Sequence, residues 1–288
     1  MRIEIFIGKL SNAGLSCLKL FALISYLLFS YTAFADSSTI KISNNQISIR
    51  TNSTKVTYSE TVNGLNGVNT AALDSERGVV PGYAILLSTM SAEDNIYFAA
   101  EYDKSSGQTI YTGAQQGGVF GSLVNTSTAV QTNYYFRLGK GFSSNADDSQ
   151  TMATLYFEDG HHKWERGLGG TSPIMEVYSN DYLVFGALVQ YSPMGSKLVL
   201  SGNAVWGVSY SSNIESSQST VGTRGNPPTT QCGFSADYEL INHIHANLSA
   251  DMVSFSYNIS SAYIVGAGKA PDTNINYTMI KLGLGYAF

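Results

Sequence analysis

The sequence predicts an all-β protein: a transmembrane antiparallel up-and-down β-barrel, most simply of ten strands, with eight or twelve as alternatives. Three observations support this prediction. Apolar and polar residues alternate with period two in many short segments, and turn-forming residues separate these segments. Charged residues make up only 13% of the 288 residues, while 43% are hydrophobic. A soluble domain carries about 25% charged residues, whereas a membrane barrel presents an apolar outer belt to lipid.

Residues 1–35 are predicted to be a cleaved signal peptide, which leaves residues 36–288 as the outer-membrane barrel domain. Basic residues up to Lys19 precede the uncharged apolar run Leu20–Tyr31, and Ala33-Phe34-Ala35 follows as an A-x-A cleavage site. The apolar run is too short for a membrane-spanning helix, which needs roughly twenty residues. We therefore expect the chain to pass the inner membrane by secretion.

The ten expected strands are apolar-alternating segments, each bounded by Gly, Pro, Asn, Asp or Ser. Their approximate limits are 47–59, 82–91, 96–104, 128–142, 150–162, 176–191, 197–210, 230–240, 244–258 and 274–288.

Short and long connections alternate along the chain. Tight turns such as Ala92–Asn95 and Asn242-His243 follow strands 2, 4, 6 and 8, and longer polar stretches follow the odd-numbered strands. This is the hairpin pattern of bacterial barrels, which have short periplasmic turns, longer external loops and an even number of strands. The count of ten therefore places both ends of the barrel domain on the periplasmic side.

Period two also assigns the charged residues to one face. On strands 3, 4, 8, 9 and 10 the bulky apolar side chains are expected to face lipid. The mid-strand charges then all point into the lumen, and they are Glu101, Arg137, Asp237, Asp251 and Lys281. A charge facing lipid at the midplane costs roughly 2–4 kcal/mol, so the shared orientation supports the assignment.

The final strand carries the clearest pattern. Ile280, Leu282, Leu284, Tyr286 and Phe288 alternate with small or charged residues, and the sequence ends in Phe288. A last strand ending in Tyr-x-Phe resembles the C-terminal signature of Gram-negative outer-membrane β-barrels. The resemblance implies an outer-membrane location in the cell envelope, and it implies that Tyr286 and Phe288 form the signal read by the barrel-assembly machinery.

Two internal segments carry a second resemblance. Leu73 to Gly78 reads Leu-Asp-Ser-Glu-Arg-Gly, and Trp164 to Gly167 reads Trp-Glu-Arg-Gly. Both resemble segments of porin-like outer-membrane β-barrel proteins of proteobacteria that have no assigned reaction. This likeness implies the barrel fold and leaves the activity open.

The interior charges have two interpretations. The strand order places Lys281 near Asp251, and Glu101 near Arg137, so the five charges form either a selectivity site of a narrow channel or a plug of ion pairs. A barrel of about eight strands is already nearly filled by side chains. The expected width of ten strands therefore favours the plug. The leading hypothesis is a non-enzymatic barrel, either a narrow porin-like channel or a structural and surface-interaction barrel.

An enzymatic alternative depends on four polar residues. Glu101 and Asp103 are two carboxylates at period two, and Asp159 with His161 is an Asp-x-His pair able to orient an imidazole as a general base. Together they resemble the omptins, ten-stranded outer-membrane proteases in which an Asp pair faces an Asp–His pair. The resemblance implies that these four residues would activate a water molecule. The sequence departs from it by having Glu101 in place of Asp and by placing the second pair directly after strand 5.

A third alternative is an adhesin acting through extracellular loops, chiefly residues 106–126 and 211–228. We expect no cofactor and no metal site. The expected partners are outer-membrane lipid, lipopolysaccharide and the barrel-assembly machinery. The net charge of −5 argues against a nucleic-acid partner.

Overall fold

The computed structural model describes residues 38–62, 71–114, 119–146, 149–168, 174–193, 195–217, 219–221, 228–257, 264–265, 268–269 and 272–288. The predicted signal peptide lies outside these residues. Among the described residues no helix is long and apolar enough to cross a membrane.

Ten antiparallel strands form one closed barrel. They are β1 (Gln46–Val62), β2 (Ala71–Met90), β3 (Ile96–Gly113), β4 (Leu123–Ala146), β5 (Ser149–Leu168), β6 (Ile174–Pro193), β7 (Leu198–Ser216), β8 (Pro228–Ile241), β9 (Ile244–Tyr257) and β10 (Asp272–Ala287). Each strand pairs with its neighbour in sequence, and β1 pairs with β10 to close the cylinder. The predicted strand number and up-and-down order are confirmed.

The two ends of the barrel differ. The tight connections after β2, β4, β6 and β8 lie at one end, which we call the turn end, and the connections after the odd-numbered strands lie at the loop end. Asn95 and His243 adopt left-handed backbone conformations in two of the tight turns, with φ values of 53° and 68°. Such conformations allow a strand to reverse within a few residues.

The strands are longer than the sequence pattern indicated. The sequence placed loop residues at 106–126, but β3 continues to Gly113 and β4 begins at Leu123. The expected loop at 211–228 is likewise shortened, because β7 continues to Ser216 and β8 begins at Pro228. These stretches are rich in Ser, Thr, Gly and Gln, so apolar alternation fades although backbone pairing continues.

The outer face explains this loss of pattern. Outward side chains are bulky and apolar in the half of the barrel nearest the turn end, as with Phe136 and Leu138 on β4 or Leu282 and Leu284 on β10. Toward the loop end many outward positions become polar, as with Thr278 on β10, although Ile110 and Val124 remain exposed apolar side chains there. A membrane strand needs about 9–11 residues, and these strands have 14 to 24. At about 3.3 Å per residue and a tilt near 40°, the barrel wall therefore rises roughly 10 Å above the apolar belt at its shortest strands and roughly 35 Å at its longest.

A short helix was not predicted. We call it α1 (Ser38–Asn44), and it lies across the turn end of the lumen, packed mainly against β2, β5, β6 and β7. Ile40 is fully buried, and Asn44 exchanges two side-chain hydrogen bonds with Gln190 at 2.8 and 3.0 Å. Asn45 then anchors the chain by accepting hydrogen bonds from Thr89 and from the Met90 backbone. The helix covers part of the mouth of the barrel.

A lysine in the apolar belt should destabilise the barrel, whereas a lysine just above it should not. We expect Leu282→Lys to lower the free energy of unfolding by about 2–4 kcal/mol, because an ammonium group there faces hydrocarbon. Thr278→Lys, on the same face of β10, should change it by less than about 0.5 kcal/mol. Urea unfolding in lipid vesicles measures both. Equal effects of the two variants would contradict the position of the belt.

Candidate functional site: the barrel interior

The five predicted lumen charges all lie on the inner face of the barrel. Glu101, Arg137 and Lys281 are buried, and Asp237 and Asp251 are partly buried. Their side chains belong to layers stacked along the lumen, which we describe from the turn end to the loop end. No metal-binding group of three or more His, Cys, Asp or Glu side chains occurs among the residues that the structure describes.

Asp237 belongs to the layer directly behind α1. Its carboxylate contacts His245 Nδ1 at 2.6 Å, and it accepts hydrogen bonds from Gln46 Nε2 at 3.3 Å and from Asn247. Asp237 is therefore surrounded by donors from β1 and β9, where Gln46 and the other two residues face the lumen. A carboxylate held by several donors inside a barrel has a structural role in joining the strands.

The next layer contains the densest ionic network. Glu101 accepts a hydrogen bond from Arg50 Nη2 at 2.7 Å and another from the Tyr135 hydroxyl at 2.7 Å, and it also pairs with Lys281. Lys281 Nζ lies 3.7 Å from both Asp103 Oδ2 and Asp251 Oδ2. Two cations thus share three carboxylates in the middle of the lumen.

Arg137 forms a separate pair beside this network. Its Nε donates to Glu158 Oε2 at 2.6 Å, and its guanidinium lies 4.2 Å from the centre of the Tyr135 ring and 4.8 Å from that of Tyr156. Cation–π contacts of this kind contribute when the cation is removed from water. The expected neighbourhood of Lys281 and Asp251 is confirmed. Glu101 and Arg137 do not form an ion pair with each other, because Glu101 binds Arg50 and Lys281 whereas Arg137 binds Glu158.

An aromatic layer separates the ionic network from the loop end. The His162 ring stacks on Phe255 at 4.7 Å between centroids, and its Nε2 hydrogen-bonds the Tyr277 hydroxyl at 3.0 Å. Tyr182 packs against the same Phe255. Gly160 on β5 makes room for the Tyr182 ring, because a Cβ at position 160 would overlap the Tyr182 side chain. Large rings from β5, β6, β9 and β10 meet here across the lumen.

The last layer surrounds Arg166. Its guanidinium binds Glu176 at 2.7 Å and Glu76 at 3.3 Å, and it lies 4.2 Å from the centre of the Tyr58 ring. The Tyr58 and Tyr178 hydroxyls hydrogen-bond each other at 3.0 Å. Arg166 is only 2% exposed although it lies near the loop end. The Arg166 guanidinium therefore joins β1, β2, β5 and β6 at the centre of the barrel.

The four residues of the omptin-like alternative do not form one site. Glu101 and Asp103 face the lumen, but Asp159 and His161 lie on the outer face of β5. His161 Nδ1 contacts Asp181 at 2.6 Å and its ring stacks on Tyr134 at 5.0 Å, while Asp159 accepts a hydrogen bond from the Tyr210 hydroxyl. The barrel wall separates the two pairs because 159 and 161 are odd-numbered positions on a strand whose even-numbered positions point inward. The predicted shared site is wrong.

Four important lumen residues were missed. The sequence did carry a signal for Arg50 and Glu158. On its strand, period two puts Arg50 on the face away from Ile47 and Ile49. It likewise puts Glu158 on the face away from Leu155 and Phe157. Glu76 and Arg166 lay beyond the expected strand ends, so no alternation assigned them a face.

Replacing the central carboxylate should destabilise the barrel. Glu101→Gln removes the carboxylate bound by Arg50, whereas Lys281 keeps Asp103 and Asp251 at 3.7 Å. Leaving the buried Arg50 charge unpaired costs about 3–5 kcal/mol. The matched control Asp159→Asn removes an outward carboxylate and should cost less than about 0.5 kcal/mol. Combining Glu101→Gln with Lys281→Met should cost less than the sum of the two single changes. Urea unfolding of all four variants tests this, and strict additivity would contradict the network.

Comparisons with known proteins return barrels of the same general kind. No protein-family model matches the chain, and no curated protein matches it. Among solved structures, the Escherichia coli outer-membrane protease OmpT is similar at 10% identity and a TM-score of 0.46, covering 90% of this chain and 99% of its own. The translocator domain of the Neisseria meningitidis autotransporter NalP gives 12% identity and a TM-score of 0.39, covering 96% of each chain. The Yersinia pestis attachment invasion locus protein Ail, in complex with a heparin analogue, gives 12% identity and a TM-score of 0.33, covering 85% of this chain and 99% of its own. At these scores the likenesses carry no conclusion about activity.

Proposed function

We propose that this protein is a non-enzymatic outer-membrane barrel with a closed interior, which acts as a structural and surface-interaction barrel and not as a porin. The observation that carries the proposal is the series of cross-lumen layers. The Glu101 network, the His162 layer and the Arg166 layer each join side chains from several strands. A solute passing through the lumen would have to break all three.

The position of the charges supports a plug over a selectivity site. A conducting site must bind a solute weakly enough to release it, and this requires lining charges that are free to exchange partners. Here Arg50, Arg137 and Arg166 each already bind a carboxylate within 2.8 Å. Such pairs fill space and hold opposite strands together.

The wall above the apolar belt supports a role at the cell surface. Barrels of this type orient their long loops outward, so the polar upper half of the strands would stand outside the membrane. The expected barrel-assembly signal at Tyr286 and Phe288 fits this proposal, since both side chains are outward and exposed at the turn end.

Lipopolysaccharide is the partner that the outer face best accommodates. Lys104 on β3 and Lys163 on β5 lie on either side of Thr132 in one row, next to Tyr83. All four side chains point outward at the upper border of the belt, where lipid phosphates would lie. Lys163 Nζ contacts Glu165 Oε1 at 2.6 Å, but unlike the lumen pairs this pair is partly exposed, so replacing the carboxylate with a phosphate costs about 1 kcal/mol or less. An aromatic residue beside cationic residues is typical of a membrane–water interface. We propose that this row holds the phosphorylated headgroup of lipopolysaccharide.

The closed lumen predicts electrical silence. The intact protein in a planar bilayer should show no discrete conductance steps, and removal of Ser38–Asn44 should leave it silent, because the Glu101 and Arg166 layers remain. An open porin added to the same membrane provides the positive control. Regular conductance steps from the intact protein would contradict the proposal.

The basic row predicts weaker lipopolysaccharide binding when its lysines are removed. Replacing both Lys104 and Lys163 with Ala should weaken binding about thirtyfold, at about 1 kcal/mol for each lysine near an anionic surface. The matched control replaces Lys140 and Lys197, two lysines at the turn end, and should leave binding unchanged. Titration of the purified variants with lipopolysaccharide measures this. Equal losses in the two double variants would contradict the assigned row.

A further inference from the structure

At the turn end, one arc of the lumen wall, on the inner face of β7 to β9, is not covered by α1. α1 packs mainly against β2, β5, β6 and β7. Beyond it, the inner face of β7 to β9 carries small polar side chains beside Val199, Asp237 and His245. Ser201, Ser235 and Ser249 are aligned in one row across these three strands. Ser235 is exposed although its position points into the lumen. The lumen therefore has free space along this arc, beside the helix.

This space is a cavity of about 130 Å³. It lies between α1, which contributes Ser43 and Asn44, and the ionic network of Arg50, Glu101 and Lys281. A water molecule needs about 10–15 Å³ of such volume, so the cavity holds on the order of ten waters. One molecule of the size of a monosaccharide would fit in their place.

Several polar groups that line the cavity have unused hydrogen-bonding capacity. Arg50 Nε and Asn247 Oδ1 are buried and have no hydrogen-bond partner among the described residues, and both residues line the cavity. Asp251 is held only loosely, at 3.7 Å from Lys281 Nζ and 3.5 Å from Ser249 Oγ. A buried polar group without a partner costs about 1–3 kcal/mol. A guest that both donates and accepts hydrogen bonds would recover part of that cost.

The charges of the wall select against an ionic guest. The lining residues include three cations and three carboxylates. The cations are already paired, Arg137 with Glu158, and Arg50 and Lys281 with Glu101. An anionic guest would have to take Arg50, Lys281 or Arg137 from its buried carboxylate, which is costly. A cationic guest could reach Asp251 only beside Lys281 Nζ, which lies 3.7 Å from that carboxylate and would repel it. Hydroxyl groups can satisfy Asn247, Asp251 and Arg50 without either cost.

We propose that this cavity is a blind binding pocket for a small uncharged polyhydroxy solute of monosaccharide size, which enters from the turn end beside α1. The ionic network forms the floor of the pocket, and the Ser201–Ser235–Ser249 row forms its side wall. This site goes beyond the proposed function, and it holds whether or not the loop-end half of the lumen conducts.

The test is calorimetric titration of the full protein in a sugar-free detergent. D-glucose, glucosamine and gluconate share a carbon skeleton and differ in charge, and glycerol serves as a smaller neutral probe. We expect saturable one-to-one binding of D-glucose, with the two charged analogues at least tenfold weaker. Ser235→Phe fills the cavity and should weaken D-glucose binding at least tenfold.

Ser53→Phe on the outer face of β1 is the matched control and should bind D-glucose as the wild type does. Circular dichroism reports whether each variant keeps its barrel, and Asn247→Leu replaces Ser235→Phe if that variant does not fold. Three results would overturn the proposal: no saturable binding of either neutral probe, tighter binding of a charged analogue, or an equal loss in Ser53→Phe.

Discussion

Closure of the sheet is the constraint on which the rest of this structure depends. Once β1 pairs with β10, every position on the ten barrel strands faces either the outside or the lumen, and none of the ten is an edge strand. Each side chain must then suit one of two environments. Leu282 and Lys281 are neighbours in sequence, yet one is 59% exposed on the apolar belt and the other is 3% exposed inside. A shift of the strand by one residue would exchange the two faces and put the Lys281 charge into hydrocarbon.

The pairing of charges inside the lumen follows from the same constraint. Inward charges in a narrow barrel cannot keep a full hydration shell, so they are stable only with partners. The layers along the lumen meet this need in different ways. Glu101 is shared by two cations and a tyrosine hydroxyl, while Arg166 combines carboxylates with the faces of aromatic rings. Both arrangements join strands that are distant in sequence, and they thereby brace the cylinder from within.

Sequence reasoning recovered the features that period two encodes. It predicted the ten strands, their order, and the inward orientation of Glu101, Arg137, Asp237, Asp251 and Lys281, because lipid enforces strict alternation in the belt. It failed where lipid no longer imposes a pattern. The upper parts of β3, β4 and β7 were taken for loops, and Glu76 and Arg166 were missed. The partners of Glu101 were also beyond reach, because they depend on how side chains meet across the lumen. The Asp159–His161 pair was misplaced because spacing along a strand was considered without its face.

The strands extend well beyond the apolar belt, and this has a mechanical consequence. Paired strands braced by Arg166 make this part of the barrel rigid, so a partner that bound there would lose little conformational entropy of the barrel. Substitutions on the outer side of such a wall leave its backbone hydrogen bonds intact. The outward side chains beyond the apolar belt can therefore be replaced one by one while the backbone of the barrel stays the same.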